Sequence, residues 1–597
     1  MLILLSAARC NQNRIEYPAI VMSTSPLPIP PQKRTLWLLL AAILALYALM
    51  LIPTLTRQGI SWDEQTDIDI TRAYLKPDGW LAGSDSDPSQ TRLPMFTVAL
   101  VYKLLGTDDL LTGRFVSVLI GGLTILGIYV YGARTFGKKQ GLLAALLLAS
   151  SPFFLSFARI AFTESDIYLA CTLAWLMVAL YRFQEKPTLG RAAVSGILFG
   201  LCISAKFTAL TLLPAVWMAV YASRNLSENG HRSLGATLWG AWSLALAVGA
   251  WAFANATPAG DYTPSLRRAH YLLVLAGWLV PLAWAYWNRA ALARRWSLGL
   301  FITGIAILTF LVLPPEHLTN PDILRSMIFR AQGEMDFDPG FIVEAVSLHA
   351  FSILFKSSPL VGLTLLAAPV LALLRVRKQP ALVVPLLVIG GYAAGLAVLP
   401  IAQTFYTIPL LGLLALLAAE AYVRLSTSRR RISFLLLSAA VIGLSADVAM
   451  SYPDYNLNGY QYLGDRVLVG RSSVGYRSVV QTTSDGVQQA FEYLNAHAQP
   501  HERVNAYVME WHIVQATAPD APYTIQNGYD FSRYERPQYI VIHINGVYWQ
   551  GWGKDNPVGE IKRPPYDEKW LAQNYEMVFS VPRTMGLTVA SVWKRLD

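Results

Sequence analysis

Two adjacent acids, Asp63 and Glu64, follow directly on an apolar run of membrane length that begins near Leu36. The stretch around them, GISWDEQTDIDITRAYL (59–75), also carries Asp67 and Asp69. In a helix starting near Ser61, Asp63 stands at the N-terminal end, where the helix dipole favours an ionised carboxylate. Such a carboxylate at a bilayer surface can act as a general base on a hydroxyl; helix capping and solubility in an acidic juxtamembrane loop are the ordinary alternative. In SFARIAFTESDIYLA, Arg159, Glu164 and Asp166 fall within a turn or two of another helix start. Snorkelling to the interface would account for Arg159. Lys206 interrupts the otherwise apolar GLCISAKFTALTLLP, and an ionisable group inside a membrane segment is costly enough to be a functional candidate, against the simpler reading of a snorkelling lysine. HAFSILFKSSPL supplies His349 and Lys356 just before a further apolar run, with Arg325 and Arg330 nearby. Cations at headgroup depth can meet a lipid phosphate.

The elements that must position these residues are membrane helices. Of the 597 residues, 54% are hydrophobic and 14% charged, against about a quarter charged in an ordinary soluble domain. Apolar runs near 36–55, 112–131, 141–157, 166–183, 191–204, 206–223, 233–254, 270–288, 297–314, 359–375, 381–400, 402–424 and 432–450 predict about 13 spans. The stretch 191–223 is too long for one helix and divides at SAKF. The net charge of +10 does not indicate nucleic acid, because Lys and Arg sit mainly in short loops between spans. The three cysteines, Cys10, Cys171 and Cys202, form neither a disulfide framework nor a zinc-ligand spacing.

Orientation follows from the basic residues. Lys33 and Arg34, then Arg134, Lys138 and Lys139, Lys186 and Arg191, Arg224 and Arg232, Arg289 to Arg295, Arg375 to Lys378, and Arg424 to Arg431 all fall on one side if the number of spans is odd. That side is cytoplasmic by the positive-inside rule, with Arg267 and Arg268 as the exception. The loops 56–111 and 315–358, the turn 158–165 and the tail 451–597 then lie outside, which makes a multi-pass plasma-membrane protein with its site on the extracytoplasmic face. Residues 1–35 read as a disordered or mis-started cytoplasmic N-terminus, with Met22 as a second possible start. In the tail, GVQQAFEYLNAHA reads as an amphipathic helix, and RPQYIVIHI and YEMVFSV read as strands, giving a small α/β domain.

These stretches resemble the C-type (GT-C) integral-membrane glycosyltransferases of the protein O-mannosyltransferase and lipid A aminoarabinose transferase kind. WDEQTDIDITRAYL is similar to the family's Asp-Glu motif at the start of the first outer loop, and SPFFLSFARIAFTESDIYLA to its third-to-fourth span segment. GLCISAKFTALTLLP resembles the glycine-rich helix that ends in a Lys-aromatic pair, and LFKSSPLVGLTLL the Lys-(Ser/Thr)-x-Pro helix start. SYPDYNLNGYQYLGDRVLVG is similar to the segment after the last span in many bacterial members. The resemblance implies the GT-C fold over 36–450 and transfer of a sugar from a polyprenyl-phosphate carrier to an acceptor hydroxyl on protein, lipid or glycan, with inversion. Asp63 matches the catalytic base. Lys206 and Lys356 would neutralise the leaving phosphate, Glu64 and Glu164 would orient hydroxyls, and Asp67 and Asp69 would be ordinary helix-surface acids. Arg159, Asp166, His349 and Arg330 complete the expected binding set, with no cofactor and no metal. Thr66 and Asp67 stand where aminoarabinose transferases have a basic residue, and AQTFYTIPLL lacks the Arg-Tyr found before a late helix in many members.

Two other readings follow from the residues. Asp85 with Asp87, and Asp336 with Asp338, are Asp-x-Asp pairs able to hold Mg²⁺ or Mn²⁺, as a metal-dependent transferase of the oligosaccharyltransferase type requires. A polytopic lipid or solute transporter would instead show a duplicated half and acids at the bilayer midplane, and neither is evident.

Overall fold

The computed structural model describes residues 31–56, 64–82, 91–161, 165–221, 295–319, 339–398 and 404–452, and, toward the C-terminus, 486–508, 520–528, 536–543, 568–582 and 588–596, with a few isolated positions between them. The described residues up to 452 form a helical bundle. α1 (Pro31–Leu51) is followed by α2 (Glu64–Leu75), α3 (Leu93–Leu105), α4 (Leu110–Thr135), α5 (Lys138–Ala149) and α6 (Pro152–Ala158). Then come α7 (Asp166–Glu185), α8 (Leu189–Ala205), α9 (Leu213–Tyr221), α10 (Arg295–Val312) and α11 (Pro339–Phe355). α12 (Pro359–Leu373), α13 (Val383–Ala397), α14 (Ile408–Ser428) and α15 (Arg430–Ser451) complete the bundle. Local sequence sets the helix starts. The Asp109 carboxylate accepts from the Thr112 amide at 2.8 Å and caps α4. Ser151 caps α6 with Pro152 at its first position, and this break turns α6 by 65° from α5.

Six described helices are long and apolar enough to cross a membrane, and the bent α5–α6 pair makes a possible seventh, so this is a multi-pass membrane protein. Eleven of the thirteen expected segments fall on described helices, whereas 233–254 and 270–288 lie outside the described residues. Four of the eleven (α8, α10, α12, and α9 with the 3-10 turn before it) are shorter than a full span. The segment 56–111, expected as a loop, is not simply a loop. It holds α2 and α3, which bury Ile68, Ile70, Tyr74, Met95, Phe96, Val98, Ala99 and Tyr102 in one core with Val116 of α4 and Ala161. α3 is apolar, but its 13 residues reach only about 20 Å, short of the hydrocarbon thickness. The division at SAKF is present: Lys206 adopts an extended backbone (φ −155°, ψ 127°) that stops α8, and a 3-10 turn, Phe207–Leu212, follows.

α8 is held close to α10 by two glycines. A Cβ on Gly196 would lie 2.6 Å from the Ile305 side chain, and one on Gly200 2.5 Å from the Ala306 carbonyl oxygen. Only a residue without a side chain allows this approach, and it fixes where α8 ends and so where Lys206 projects.

The C-terminal residues form a five-stranded sheet of order β2-β1-β3-β5-β4, from β1 (Arg503–Tyr507), β2 (Thr524–Asn527), β3 (Tyr539–His543), β4 (Tyr575–Pro582) and β5 (Thr588–Arg595). β1 runs parallel to β2 and β3, while β5 is antiparallel to both β3 and β4. Strand alternation sends Val504 and Ala506 to one face, packed against Val487, Phe491 and Leu494 of α16 (Val487–His497). Tyr507 and Ile540 go to the other, against Leu571 of α17 (Glu568–Asn574) and against Tyr575. The helix and two of the strands fall where the sequence placed them. β1, β2 and β5 were not foreseen; β1 and β2 are only five and four residues long.

Candidate functional site

Lys206 and Asp166 meet where α8 ends and α7 begins. Lys206 Nζ lies 2.6 Å from Asp166 Oδ2, and the Asp166 side chain is fully buried. The same ammonium stands 3.6 Å from the centroid of the Tyr406 ring and 5.8 Å from that of Phe405. Ser165, directly before Asp166, has φ 58°, a left-handed conformation that a non-glycine residue holds at a cost of about 1–3 kcal/mol. Among the described non-glycine residues Ser165 alone has a positive φ, directly before the residue delivered to Lys206. Asp166 Oδ1 is buried with no hydrogen-bond partner among the described residues.

Lys356 lies at the end of α11, its amide donating to the Ser352 carbonyl at 2.9 Å. His349, Ser352 and Lys356 are spaced i, i+3 and i+7, one stripe along a mostly apolar helix, and all three are buried. The stripe therefore faces protein rather than lipid. Both His349 ring nitrogens are buried with no hydrogen-bond partner among the described residues, and leaving a buried donor or acceptor unmet costs about 1–3 kcal/mol. The charge of Lys206 reaches this ring. A row of aromatic rings joins the two lysines. Lys356 Nζ is 5.8 Å from the Phe153 centroid, Phe153 is 6.0 Å from Phe157, Phe157 5.5 Å from Phe405, and Phe405 5.1 Å from Tyr406 under Lys206. Two cations at helix ends, Lys356 buried and Lys206 partly buried, with aromatic surface between them, make an environment suited to an anion with an apolar tail.

Glu64 is engaged on both oxygens. Arg114 of α4 donates Nε to Oε1 at 3.0 Å and Nη2 to Oε2 at 2.8 Å, and the Ala161 amide donates to Oε1 at 2.7 Å. Arg114 also donates to the Leu55 carbonyl at 2.7 Å. One carboxylate thus ties the first turn of α2 to the end of the first span and to the chain that leads into α7. This bidentate pairing makes Glu64 an anchor for the acidic motif. Arg159, at the C-cap of α6, is fully buried, so it does not snorkel. Asp67 is likewise buried rather than on the helix surface, whereas Asp69 is exposed beside Arg72. Asp63, Glu164 and Arg330, with Arg325 and both Asp-x-Asp pairs, lie outside the described residues. Among the described residues, no group of three or more His, Cys, Asp or Glu could hold a metal ion.

A second buried charge cluster was missed in the sequence. Arg92, directly before α3, lies with its Nε 3.4 Å from Glu316 Oε1, and both side chains are fully buried. The Tyr74 hydroxyl of α2 donates to the same oxygen, and burial, with Glu316 beside it, holds that phenol well above its ordinary range. His317 Nδ1 donates to the Phe310 carbonyl at 2.8 Å, and burial pushes its pKa down to about 4. The Thr91 hydroxyl donates to the Ala205 carbonyl at 2.6 Å, next to Lys206, so this cluster adjoins the first. The available signal was an arginine and a Glu-His pair bordering apolar runs, at TRLPMF and LPPEHL.

Residues 89–253 match the family of dolichyl-phosphate-mannose-protein mannosyltransferases. The matched segment contains Arg92, Arg114, Arg159, Asp166 and Lys206. Over this segment the chain is similar to that family. Among solved structures, ArnT from Cupriavidus metallidurans bound to undecaprenyl phosphate is 15% identical at a TM-score of 0.44, with 94% of this chain and 98% of that chain covered. The archaeal oligosaccharyltransferase AglB from Archaeoglobus fulgidus, in complex with an inhibitory peptide and a dolichol-phosphate, is 14% identical at a TM-score of 0.43, with 86% and 70% covered. Likenesses this remote carry no correspondence between residues. No curated protein sequence matches the chain.

Proposed function

We propose that the protein transfers a sugar from a polyprenyl-phosphate carrier to an acceptor hydroxyl of a protein, lipid or glycan, at the extracytoplasmic face of the plasma membrane. The observation that carries this reading is the pair of lysines, Lys356 buried and Lys206 partly buried, joined by the aromatic row from Phe153 to Tyr406. A lipid-linked sugar phosphate brings the two features this environment suits, an anion and an apolar chain. In the reaction, Asp63 takes the proton of the acceptor hydroxyl as its oxygen bonds to the anomeric carbon. The bond from that carbon to the phosphate oxygen breaks, the electron pair leaves with the lipid phosphate, and the anomeric configuration inverts because attack comes from the opposite face. Lys206 and Lys356 neutralise the charge that develops on the phosphate. Lys206 is held for this by Asp166 and Tyr406, and Glu64 anchors the turn next to the base through Arg114. Glu164 orients sugar or acceptor hydroxyls, and Arg159, His349, Asp166 and Arg330 line the donor side. The leaving group is a monophosphate and a general base is present, so the reaction proceeds without a metal.

The test is to incubate membranes containing the chain with radiolabelled polyprenyl-phosphate sugars, with and without a chelator, and to identify what becomes labelled. Label in an acceptor that survives chelation is the expected result. Transfer abolished by the chelator and restored by Mg²⁺ or Mn²⁺ points instead to the metal-dependent class, and label appearing only as translocated donor points to transport.

A further inference from the structure

His349 is a buried imidazole with neither ring nitrogen hydrogen-bonded among the described residues. It occupies the polar stripe of α11 two turns before Lys356, within reach of the charge of Lys206, and α11 packs against the turn that carries Phe405 and Tyr406. A neutral imidazole has one N–H donor and one acceptor nitrogen, and among the described residues both are unmet whichever tautomer is present. A phosphate dianion can satisfy only the donor, because it offers no proton to the other nitrogen. A glycosyl phosphate satisfies both, with a phosphate oxygen accepting from one side of the ring and a sugar hydroxyl donating to the other.

We infer that His349 is a specificity-determining residue that distinguishes the glycosylated lipid phosphate from the spent lipid phosphate, its two ring nitrogens bridging a phosphate oxygen and a sugar hydroxyl. This rests on the proposed function. It adds a consequence for turnover: once the sugar has moved, one of the two hydrogen bonds is lost and the product carrier is released more readily than the donor is.

The experiment measures equilibrium binding of polyprenyl phosphate, and of the same lipid carrying mannose, glucose or N-acetylglucosamine on the phosphate, to the full chain in detergent. At least one glycosylated lipid should bind about tenfold more tightly than polyprenyl phosphate, the factor expected of one hydrogen bond of roughly 1.4 kcal/mol. His349→Phe, similar in shape and without polar atoms, should bring that ratio to within about threefold of unity, with a melting temperature equal to or above the parent's. His349→Leu is the second removal variant should the phenylalanine not fold, and His349→Gln, which keeps a donor and an acceptor, should recover part of the preference. A preference unchanged in the folded Phe or Leu variant overturns the inference and leaves the proposed function standing. So does a parent protein that binds lipid phosphates but favours no glycosylated form. A parent that binds none of the four lipids overturns the reading of the site as one for lipid phosphate, and this inference with it.

Discussion

Lys206 and the fully buried Asp166 form an ion pair at 2.6 Å that joins the end of α8 to the start of α7, with the Tyr406 ring 3.6 Å from the ammonium. Forty positions separate them in the chain. The contact fixes two helix ends at once, and it also holds a cation at the place where the donor phosphate is proposed to bind. The two roles separate by mutation.

Removing one partner leaves a buried charge uncompensated. Asp166→Ala and Lys206→Ala should each lower stability by about 3–5 kcal/mol, seen as a fall in melting temperature in detergent. The double variant Asp166→Asn with Lys206→Met removes both charges and should recover most of that loss, yet it should still bind polyprenyl-phosphate sugar poorly. Recovery of donor affinity along with stability would leave Lys206 a structural residue only.

Glu64→Ala should cost about 3–5 kcal/mol as well, because Arg114 is buried and loses its bidentate partner. Hydrogen exchange should rise in α2 and around Ala161, whose amide bonds to the same carboxylate. Unchanged protection there would show that Glu64 does not anchor the motif.

Gly200→Val places side-chain atoms where the Ala306 carbonyl of α10 already stands. The expected cost is about 1–3 kcal/mol from overpacking, with reduced transfer because α8 shifts and carries Lys206 with it. A variant that melts as the parent does and transfers at the parent's rate would show that the close approach is dispensable.

The buried His317 sets a pH dependence of stability. Its folded pKa of about 4 is below the ordinary value near 6.5, so between these two values the unfolded chain binds the proton and the folded chain does not. The contribution is fully present above about pH 6.5 and is lost as pH falls toward 4, with an upper size of about 3 kcal/mol. His317→Asn should flatten the melting temperature across that window. A parent curve already flat there would mean that the ring is not held neutral by burial.

The segments that form helices were legible as apolar runs, because burial in lipid leaves a continuous signature. The break at Lys206 was legible because a charge interrupts such a run. Pairing was not legible. Tyr74 and Glu316 share a hydrogen bond across 242 positions, and no local pattern in either stretch names the other. α3 was absorbed into an acidic loop because its 13 apolar residues are too few for a span, although they are enough to pack on α2. Glu64 illustrates the same limit at the site. Its type and place beside Asp63 suggested a catalytic neighbour, and only the fold shows both its oxygens bound to Arg114.

The most direct test is the rate of sugar transfer from polyprenyl-phosphate donor by Asp63→Asn, measured beside its affinity for the carrier lipid. A fall in turnover of about 10²–10⁴-fold, the range for loss of a general base, with carrier binding and expression unchanged, is the expected result. Near-normal turnover by that variant would contradict Asp63 as the base.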